Sequence, residues 1–320
     1  MKNEILKLLQ SNKDYISGED ISKILNISRS AIWKHIKTLK SEGFEIEGIS
    51  NKGYKLLSCP DIIIENNIQK HLKTNFIAHT IYHYNTLNST NTKAKELSDK
   101  ANDGSIVISE IQEGAHGRFD RAWVSPKGGL WFSMILKPII EPYKASKLTQ
   151  IAAASIISVL KNKYNINAQI KWPNDLYINN KKFCGILTEM KCDLDRINHI
   201  IIGIGINVNL TKDNFSNDLL DTATSLKIEN DISYDRNELL AHILSEFEKL
   251  YLNYVNTNDF TPTLKICREN SIILKKDAYI VTLNKKEKVT CIDIDDDGNL
   301  IIQDKDGNIK SIFSGEVTFK

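Results

Sequence analysis

The stretch KWPNDLYINNKKFCGILTEM (171–190) breaks the strand-like alternation on either side of it. Pro173 fixes its own φ and pushes Trp172 toward extended backbone, so the chain makes a stiff corner there. Asn174 and Asp175 project polar groups from that corner. Lys182 then stands at the start of an apolar strand whose Gly185 has no side chain, so a ligand can lie against its backbone. Taken alone, the corner reads more simply as a surface loop, and Lys181–Lys182 as a solvated hairpin tip, the reading that wins for most sequences.

Three other segments shift that balance. NTLNSTNTKAKEL (85–97) places Ser89, Thr90 and Asn91 ahead of a helix, where the ordinary reading is an N-cap. QEGAHGRFDRAWVSPKGGLWFSM (112–134) is a loop loosened by Gly114 and Gly117, charged by Arg118 and Arg121 and punctuated by Trp123. Backbone N–H groups and arginines in such a loop suit a phosphate or carboxylate; a charged surface loop is the alternative. GIGIN (203–207) ends a buried strand at Asn207, which either reads an adenine edge or terminates the strand.

Around these segments the chain separates into three regions. SIVISEIQ, LWFSMILK, AQIKW, DLYIN, FCGILTEM and HIIIGIGINVNL read as strands; SKLTQIAAASIISVLKNKYN and NELLAHILSEFEKLYLNYV read as long helices. Residues 65–270 therefore predict an α+β domain with a large mixed sheet. Residues 1–60 read as helix (Ile5, Leu8 and Leu9 inward), short helix capped by Ser17, turn at Asn26, and a third helix opened by Ser28. Ile32, Ile36 and Leu39 form the inward stripe of that third helix, and Arg29, Ser30, Trp33, Lys34 and Lys37 its opposite face. A hairpin tipped by Lys52 follows, giving a winged helix-turn-helix that carries ten Lys and Arg against seven Asp and Glu, a net of +3. A three-helix protein-interaction module is the plainer alternative. Residues 271–320 alternate in short segments, AYIVTL, KVTCIDI, NLIIQD, IKSIF and EVTF, separated by the turns NKKEK, DDDGN and KDGN, as in a small SH3-like β-barrel. Asp293, Asp295, Asp297 and Gly298 begin like a calcium loop, but position twelve is Asp304 and the flanks are strands, so the segment reads as a hairpin turn.

The totals exclude several classes. The net charge of +2 offers no global field for nucleic acid, so any such signal is local. Five scattered cysteines without a Cys-x-x-Cys pair argue against a disulfide framework or zinc ribbon and fit a reducing compartment. The N-terminal segment lacks the apolar core of a secretion signal, and no apolar run is long enough to span a bilayer, so a cytoplasmic protein is expected.

Taken together, S-T-N (89–91), Q-x-x-x-x-G-R-x-x-R-x-W-x-S-P (112–126), KWPND (171–175), K-x-x-G-I-L (182–187), G-x-G-I-N (203–207) and A-T-S-L (223–226) closely resemble, in order, the motifs of biotin–protein ligases. With a reader before them and a barrel after them, essentially the whole chain resembles the bifunctional type, a ligase that is also the biotin operon repressor. The resemblance implies an α+β multidomain fold: a winged helix-turn-helix, a central mixed-sheet α/β catalytic domain of the class II synthetase-like type, and an SH3-like β-barrel. It implies ATP, Mg²⁺ and biotin, with biotinyl-5′-AMP as bound intermediate. The implied partners are a biotin carboxyl carrier protein of an acetyl-CoA or pyruvate carboxylase, operator DNA, and a second copy of the chain in the loaded state.

Residue by residue, Ser89, Thr90, Asn91 and Gln112 look like contacts to the ureido ring, and His116, Gly117 and Arg118 fall in the loop that folds over biotin. Lys182 matches the lysine that engages the biotin carboxylate and the α-phosphate, while Gly185, Ile186 and Leu187 line the biotin slot. Trp123 is similar to a residue that stacks on adenine, and Arg121, Asn174 and Asn207 to nucleotide-side positions. Asp175 is expected near Mg²⁺ or the incoming amine, which makes Lys182, Arg118 and Asp175 the catalytic set. In the reader, Ser28, Arg29, Ser30, Trp33, Lys34, Lys37 and Lys52 take DNA-facing positions. The chain departs from the family at Ala115, where glycine is usual, and at His116, where arginine is frequent. If position 115 needs a positive φ, alanine costs on the order of 1 kcal/mol there. The rival readings are a ligase whose reader no longer binds DNA, a biotin-sensing repressor with little catalysis, and a lipoate ligase of related architecture.

Overall fold

Asn26 turns the chain out of helix α2 (Gly18–Leu25) in left-handed conformation, φ 52°, which delivers it directly into α3 (Arg29–Ser41). Each helix opens on a serine: Ser17 Oγ accepts from Asp20 N–H, and Ser28 Oγ from Ala31 N–H. Helix α1 (Lys2–Ser11) completes a core in which Ile5, Leu6, Leu9, Ile21, Ile32, Ile36 and Leu39 are buried. Leu6, rather than the expected Leu8, shares the inward stripe with Ile5 and Leu9; Leu8 lies half-buried on its flank. Strands β1 (Glu45–Ile49) and β2 (Gly53–Ser58) form the wing, fastened to the segment between α1 and α2 by reciprocal Ile16–Tyr54 main-chain bonds of 3.0 and 2.9 Å. Gly53 makes that approach possible: φ is 110°, and a Cβ would sit 2.0 Å from the Ile16 carbonyl oxygen.

The structure, a computed structural model, describes residues 1–193, 196–282 and 285–319. It forms two compact units, residues 1–62 and 63–320. In the second, α4 (Glu65–His71) leads to a seven-stranded sheet. Its strands are β3 (Ile81–Leu87), β4 (Ser105–Gln112), β5 (Leu130–Leu136), β6 (Gln169–Lys171), β7 (Asp175–Ile178), β8 (Lys181–Asp193) and β9 (Arg196–Ile206). The order is β3-β4-β5-β9-β8-β7-β6, with β3 and β4 parallel and every other pair antiparallel, so the sheet is mixed as expected. Side chains alternate across it. Ile106 and Ile108 join the larger core, beneath α6 (Ser146–Tyr164) and α8 (Arg236–Thr257), while Val107 joins a smaller cluster with Ala94 of α5 (Thr90–Leu97). Helices α7 (Leu226–Asn230) and α9 (Thr261–Glu269) complete the helices of the unit. Strand β3 and helix α4 escape a reading of hydrophobic pattern. Strand β3 is a sheet edge without a buried residue, and α4 buries only Ile68.

The last region forms a five-stranded antiparallel sheet, β10 (Lys276–Thr282), β11 (Lys285–Ile294), β12 (Leu300–Asp304), β13 (Ile309–Ile312) and β14 (Glu316–Thr318), in the order β13-β12-β11-β10-β14. The turn read at 284–288 is strand from 285 onward, and its first position, with the preceding residue 283, lies outside the described residues. The aspartate-rich segment is a hairpin turn: Asp295 accepts from the N–H groups of Asp297 and Asn299, Gly298 has φ 82°, and Asp293 pairs with Arg268. This hairpin packs onto the central domain. The Gly298 carbonyl accepts from Trp172 Nε1 at 2.9 Å and from Gln150 Nε2 at 2.5 Å, and Asp297 pairs with the buried Lys147 at 3.0 Å. Trp172 is the tryptophan of the corner at 171–175, so the C-terminal sheet buttresses that corner from behind; the Trp172–Pro173 bond is cis.

Candidate functional site

The alternation of β9 builds the floor of a cavity. Ile200, Ile202, Ile204 and Ile206 face the larger core, which leaves Ile201, Gly203 and Gly205 on the opposite face. In register, Gly205 pairs with Gly185 of β8, and Gly203 with Leu187. A Cβ on Gly203 would sit 2.0 Å from Asn91 Oδ1, and one on Gly205 2.5 Å from Trp123 Nε1. A Cβ on Gly185 would meet the other end of the same indole, 3.2 Å from its Cζ3. The two glycines of G-x-G-I-N are therefore needed for close approach, and Gly185 of K-x-x-G-I-L fits a tight one, made here by side chains of the protein itself. Ile186 borders the cavity through its main chain: its side chain packs in the larger core, and its carbonyl accepts from Asn174 Nδ2 at 3.0 Å.

The N-terminus of α5 forms one wall. Ser89 caps it, and Thr90 N–H donates to Gln112 Oε1 at 2.8 Å. Asn91 is fixed at both ends of its amide, with Nδ2 donating to Glu189 at 2.8 Å and Oδ1 accepting from Ser133 at 2.6 Å. Burial pushes the Glu189 carboxyl up, but hydrogen bonds from Lys95 and Asn91 outweigh that and hold it below the usual carboxylate range. Gln112 Nε2 continues the network to Ser125.

The loop after β4 covers the floor. It closes on itself through Trp123 N–H to the Ala115 carbonyl (2.9 Å) and Gly117 N–H to the Arg121 carbonyl (2.8 Å). Ala115 is not in the left-handed region, so the expected strain at that position does not arise; Phe119 and Asp120, at φ 58° and 53°, take it instead. Gly114 is the restrictive glycine, because a Cβ there would sit 2.1 Å from Asn88 Oδ1. Phe119 is exposed at the tip, between the guanidinium groups of Arg118 (5.3 Å) and Arg121 (5.9 Å).

Four lysines and arginines line the cavity, whose volume is about 370 Å³. Lys182 Nζ is 2.8 Å from Asp175 Oδ1 and 5.1 Å from the Trp123 ring centroid. Arg118 donates to Asn174 Oδ1 at 3.1 Å, and burial lowers its proton affinity. Arg121 reaches Glu316 of β14 through two bonds of 2.7 Å, which hold the Glu316 carboxyl below its usual range. Lys171, lowered by burial, is the fourth. Asn207, 4% exposed, ends β9 and donates to the Thr224 carbonyl at 2.8 Å, so its amide is held by the A-T-S-L segment. In the N-terminal unit, Ser28, Arg29, Ser30, Trp33, Lys34 and Lys37 are exposed around one side of α3, and Lys52 at the wing tip. Trp33 is 56% exposed with Lys37 Nζ 5.4 Å from its ring, an apolar surface without a partner in its own core.

The profile of the biotin/lipoate A/B protein ligase family matches residues 83–207, that of an HTH domain residues 2–55, and that of the biotin protein ligase C terminal domain residues 280–320. The chain is 38% identical to the bifunctional ligase/repressor BirA of Bacillus subtilis, over 99% of its own length and 98% of the relative's. The chain belongs to the bifunctional ligase/repressor family. The Escherichia coli member of the bifunctional ligase/repressor family is 27% identical over 98% of this chain and 95% of its own. Among solved structures, the biotin protein ligase from Aquifex aeolicus in complex with biotin and ATP superposes with a TM-score of 0.66 at 26% identity, covering 75% of this chain and 98% of that one.

In this ligase/repressor chain, every residue expected on the ligase side borders this same cavity: Ser89, Thr90, Asn91, Gln112, His116, Gly117, Arg118, Arg121, Trp123, Asn174, Asp175, Lys182, Gly185, Ile186, Leu187 and Asn207. The sequence reading missed Lys171, Tyr177, Gly203 and Glu316, which border it too. The first three lie in or beside quoted motifs. Glu316 is 195 residues from its partner Arg121, and no local pattern marks it.

Proposed function

We propose that this chain is an ATP-dependent biotin–protein ligase that forms biotinyl-5′-AMP, transfers biotin to a lysine of a carboxyl carrier protein, and represses transcription with the same intermediate as corepressor. The observation that carries the reading is the union, in one cavity, of a glycine floor with Lys182, Arg118 and Arg121. Biotin's carboxylate must approach a polyanion, so the barrier is mainly electrostatic. Lys182 holds the carboxylate and α-phosphate oxygens, and Arg118 and Arg121 offset charge on the phosphates. As the new O–P bond forms, the bond to the β-phosphate breaks and its electron pair leaves with pyrophosphate. The polar wall of Ser89, Thr90, Asn91 and Gln112 orients the ureido ring, and Trp123 offers its face to the adenine.

The loop at 114–123 keeps water from the mixed anhydride. The acceptor amine then attacks the acyl carbon and AMP departs, with Asp175 placed to take the amine's proton. The cavity's carboxylates are Asp175 and Glu316, and among the described residues no group of three or more potential metal ligands forms. That donor set fits a magnesium ion carried on nucleotide phosphates, which takes one or two carboxylates. Bound there, the ion would neutralise phosphate charge beside Asp175.

In the reader, α3 would enter the major groove and the wing would meet the backbone, with a loaded dimer reading a two-fold operator. We place the protein in the cytoplasm, where the proposed carrier protein and operator DNA would meet it; separately, among the described residues no helix is long and apolar enough to cross a membrane. Incubation with ATP, Mg²⁺, biotin and a carrier domain should release pyrophosphate and add the mass of one biotinyl group to the carrier. Biotinyl-5′-AMP should tighten a mobility shift on the chain's own biotin-gene promoter. A carrier that stays unmodified would eliminate the ligase, and an unaltered shift would eliminate the corepressor.

Glu316 steers Arg121 from across the sheet interface. Because that arginine is 65% exposed, the pair is worth little by itself and acts by aiming the side chain. Glu316→Gln should therefore raise the KM for ATP about twofold to fivefold with biotin affinity unchanged, as read by steady-state kinetics and calorimetry.

A further inference from the structure

Ser133 of β5 is fully buried against two residues of the cavity's polar wall, Thr90 and Asn91. It pairs across the ladder with Gly203 of β9, whose missing side chain leaves room for Asn91. The Ser133 hydroxyl lies 2.8 Å from Thr90 Oγ1 and 2.6 Å from Asn91 Oδ1. It carries a single proton, so it donates to only one of them. The far end of this run of bonds decides which. Asn91 Nδ2 lies 2.8 Å from Glu189 Oε2 and 3.4 Å from the Leu187 carbonyl. Both groups only accept. Glu189 does so because it is ionised: burial pushes its carboxyl up, but hydrogen bonds from Lys95 and Asn91 bring it below the usual range. The Asn91 amide therefore turns its NH₂ to Glu189 and its oxygen to Ser133. An amide oxygen can only accept, so the Ser133 proton is committed to it. Toward Thr90, Ser133 has lone pairs alone, and the Thr90 hydroxyl must donate to them.

Thr90 borders the cavity, and with its one proton turned to Ser133 its hydroxyl faces that space with lone pairs only. We infer that the relay from Glu189 through Asn91 and Ser133 fixes Thr90 as a hydrogen-bond acceptor, which makes Ser133 a positioning residue that selects a ring presenting an N–H there. The inference rests on the ligase reading above and states how its site tells a cyclic urea from a ring of the same shape that lacks this N–H. A ring oxygen in that place would set two acceptors against each other and leave both unsatisfied.

The two cyclic carbamate analogues of biotin, in which one or the other ureido N–H is replaced by oxygen, test this by calorimetry on the full chain. The analogue that sets its oxygen against Thr90 should bind the wild type about tenfold to a hundredfold more weakly than biotin. In Ser133→Ala the Thr90 proton is free to turn into the cavity, and that ratio should shrink at least about fivefold. Glu189→Gln, which lets the Asn91 amide reverse, should shrink it in the same direction. A merely structural Ser133 would weaken both ligands by one factor and leave the ratio as it was. An unchanged ratio in Ser133→Ala overturns the inference; should that variant fail to fold, an unchanged ratio in Glu189→Gln does so. A wild type that binds biotin and both carbamates alike overturns it too. A wild type that binds no biotin would overturn the ligase reading itself, whatever the variants do.

Discussion

Lys182→Ala is expected to slow formation of biotinyl-5′-AMP by about a hundredfold to a thousandfold while leaving the thermal midpoint near that of the wild type. Two effects act in the same direction. The substitution removes the ammonium that meets the attacking carboxylate, and it uncovers Asp175, whose carboxylate lies 2.8 Å from Lys182 Nζ. The triphosphate then meets one positive charge fewer and one negative charge more. Folding does not depend on the side chain, because residue 182 is held by its main chain: its N–H donates to the Thr222 carbonyl at 2.8 Å and its carbonyl accepts from Thr224 at 2.9 Å. Lys182→Arg should rescue poorly, since a planar fork replaces a compact charge on a flexible stem. Single-turnover pyrophosphate release, with carrier mass as a second reading, checks this. A variant within threefold of the wild-type rate would remove Lys182 from the chemistry.

Arg236→Ala should cost about 3–5 kcal/mol of stability, a fall of roughly 10 °C in thermal midpoint for a domain of this size. Arg236 is fully buried at the start of α8. It donates to the Gly129 carbonyl at 2.7 Å and to Glu110 Oε2 at 2.9 Å, while Glu110 Oε1 accepts from Ile63 N–H at 2.6 Å. Burial pushes the Glu110 carboxyl up, yet His83, the Arg236 charge and the Ile63 N–H together bring it down to about 2. A carboxyl lowered on folding contributes stability that is complete above its unfolded value near 4.5 and fades as pH falls toward about 2. The wild type should therefore lose stability across that acid window more steeply than the alanine variant, whose Glu110 has lost its cation. Replacing Arg236 and Glu110 together by apolar residues should cost less than Arg236→Ala alone, because no orphaned charge remains. Denaturation followed by circular dichroism at several pH values decides it; equal midpoints for wild type and Arg236→Ala would mean that the pair contributes nothing.

Much of the site is legible in the sequence because its constraints are local. An alternating Gly203–Ile204–Gly205 run can only be a strand with one face cleared, and its asparagine ends the strand where the next segment crosses. Trp172–Pro173 can only be a corner, and Ser28, Ser89 and Ser17 sit where helices begin. What the sequence hides are the constraints set by partners. Strand β3 is held by one neighbour and not by its own apolar pattern. The glycine floor faces an indole and an amide from distant segments, so a reading of Gly185 alone assigned that space to a ligand. Position 115 departs from the family without strain, since the loop places its left-handed turn at Phe119 and Asp120.

The hairpin at Gly298 receives the indole N–H of Trp172, and Glu316 receives Arg121. The small sheet is thus a wall of the same reaction chamber that the large one floors. A chimera that takes the large sheet from one relative and the small sheet from another should therefore lose activity.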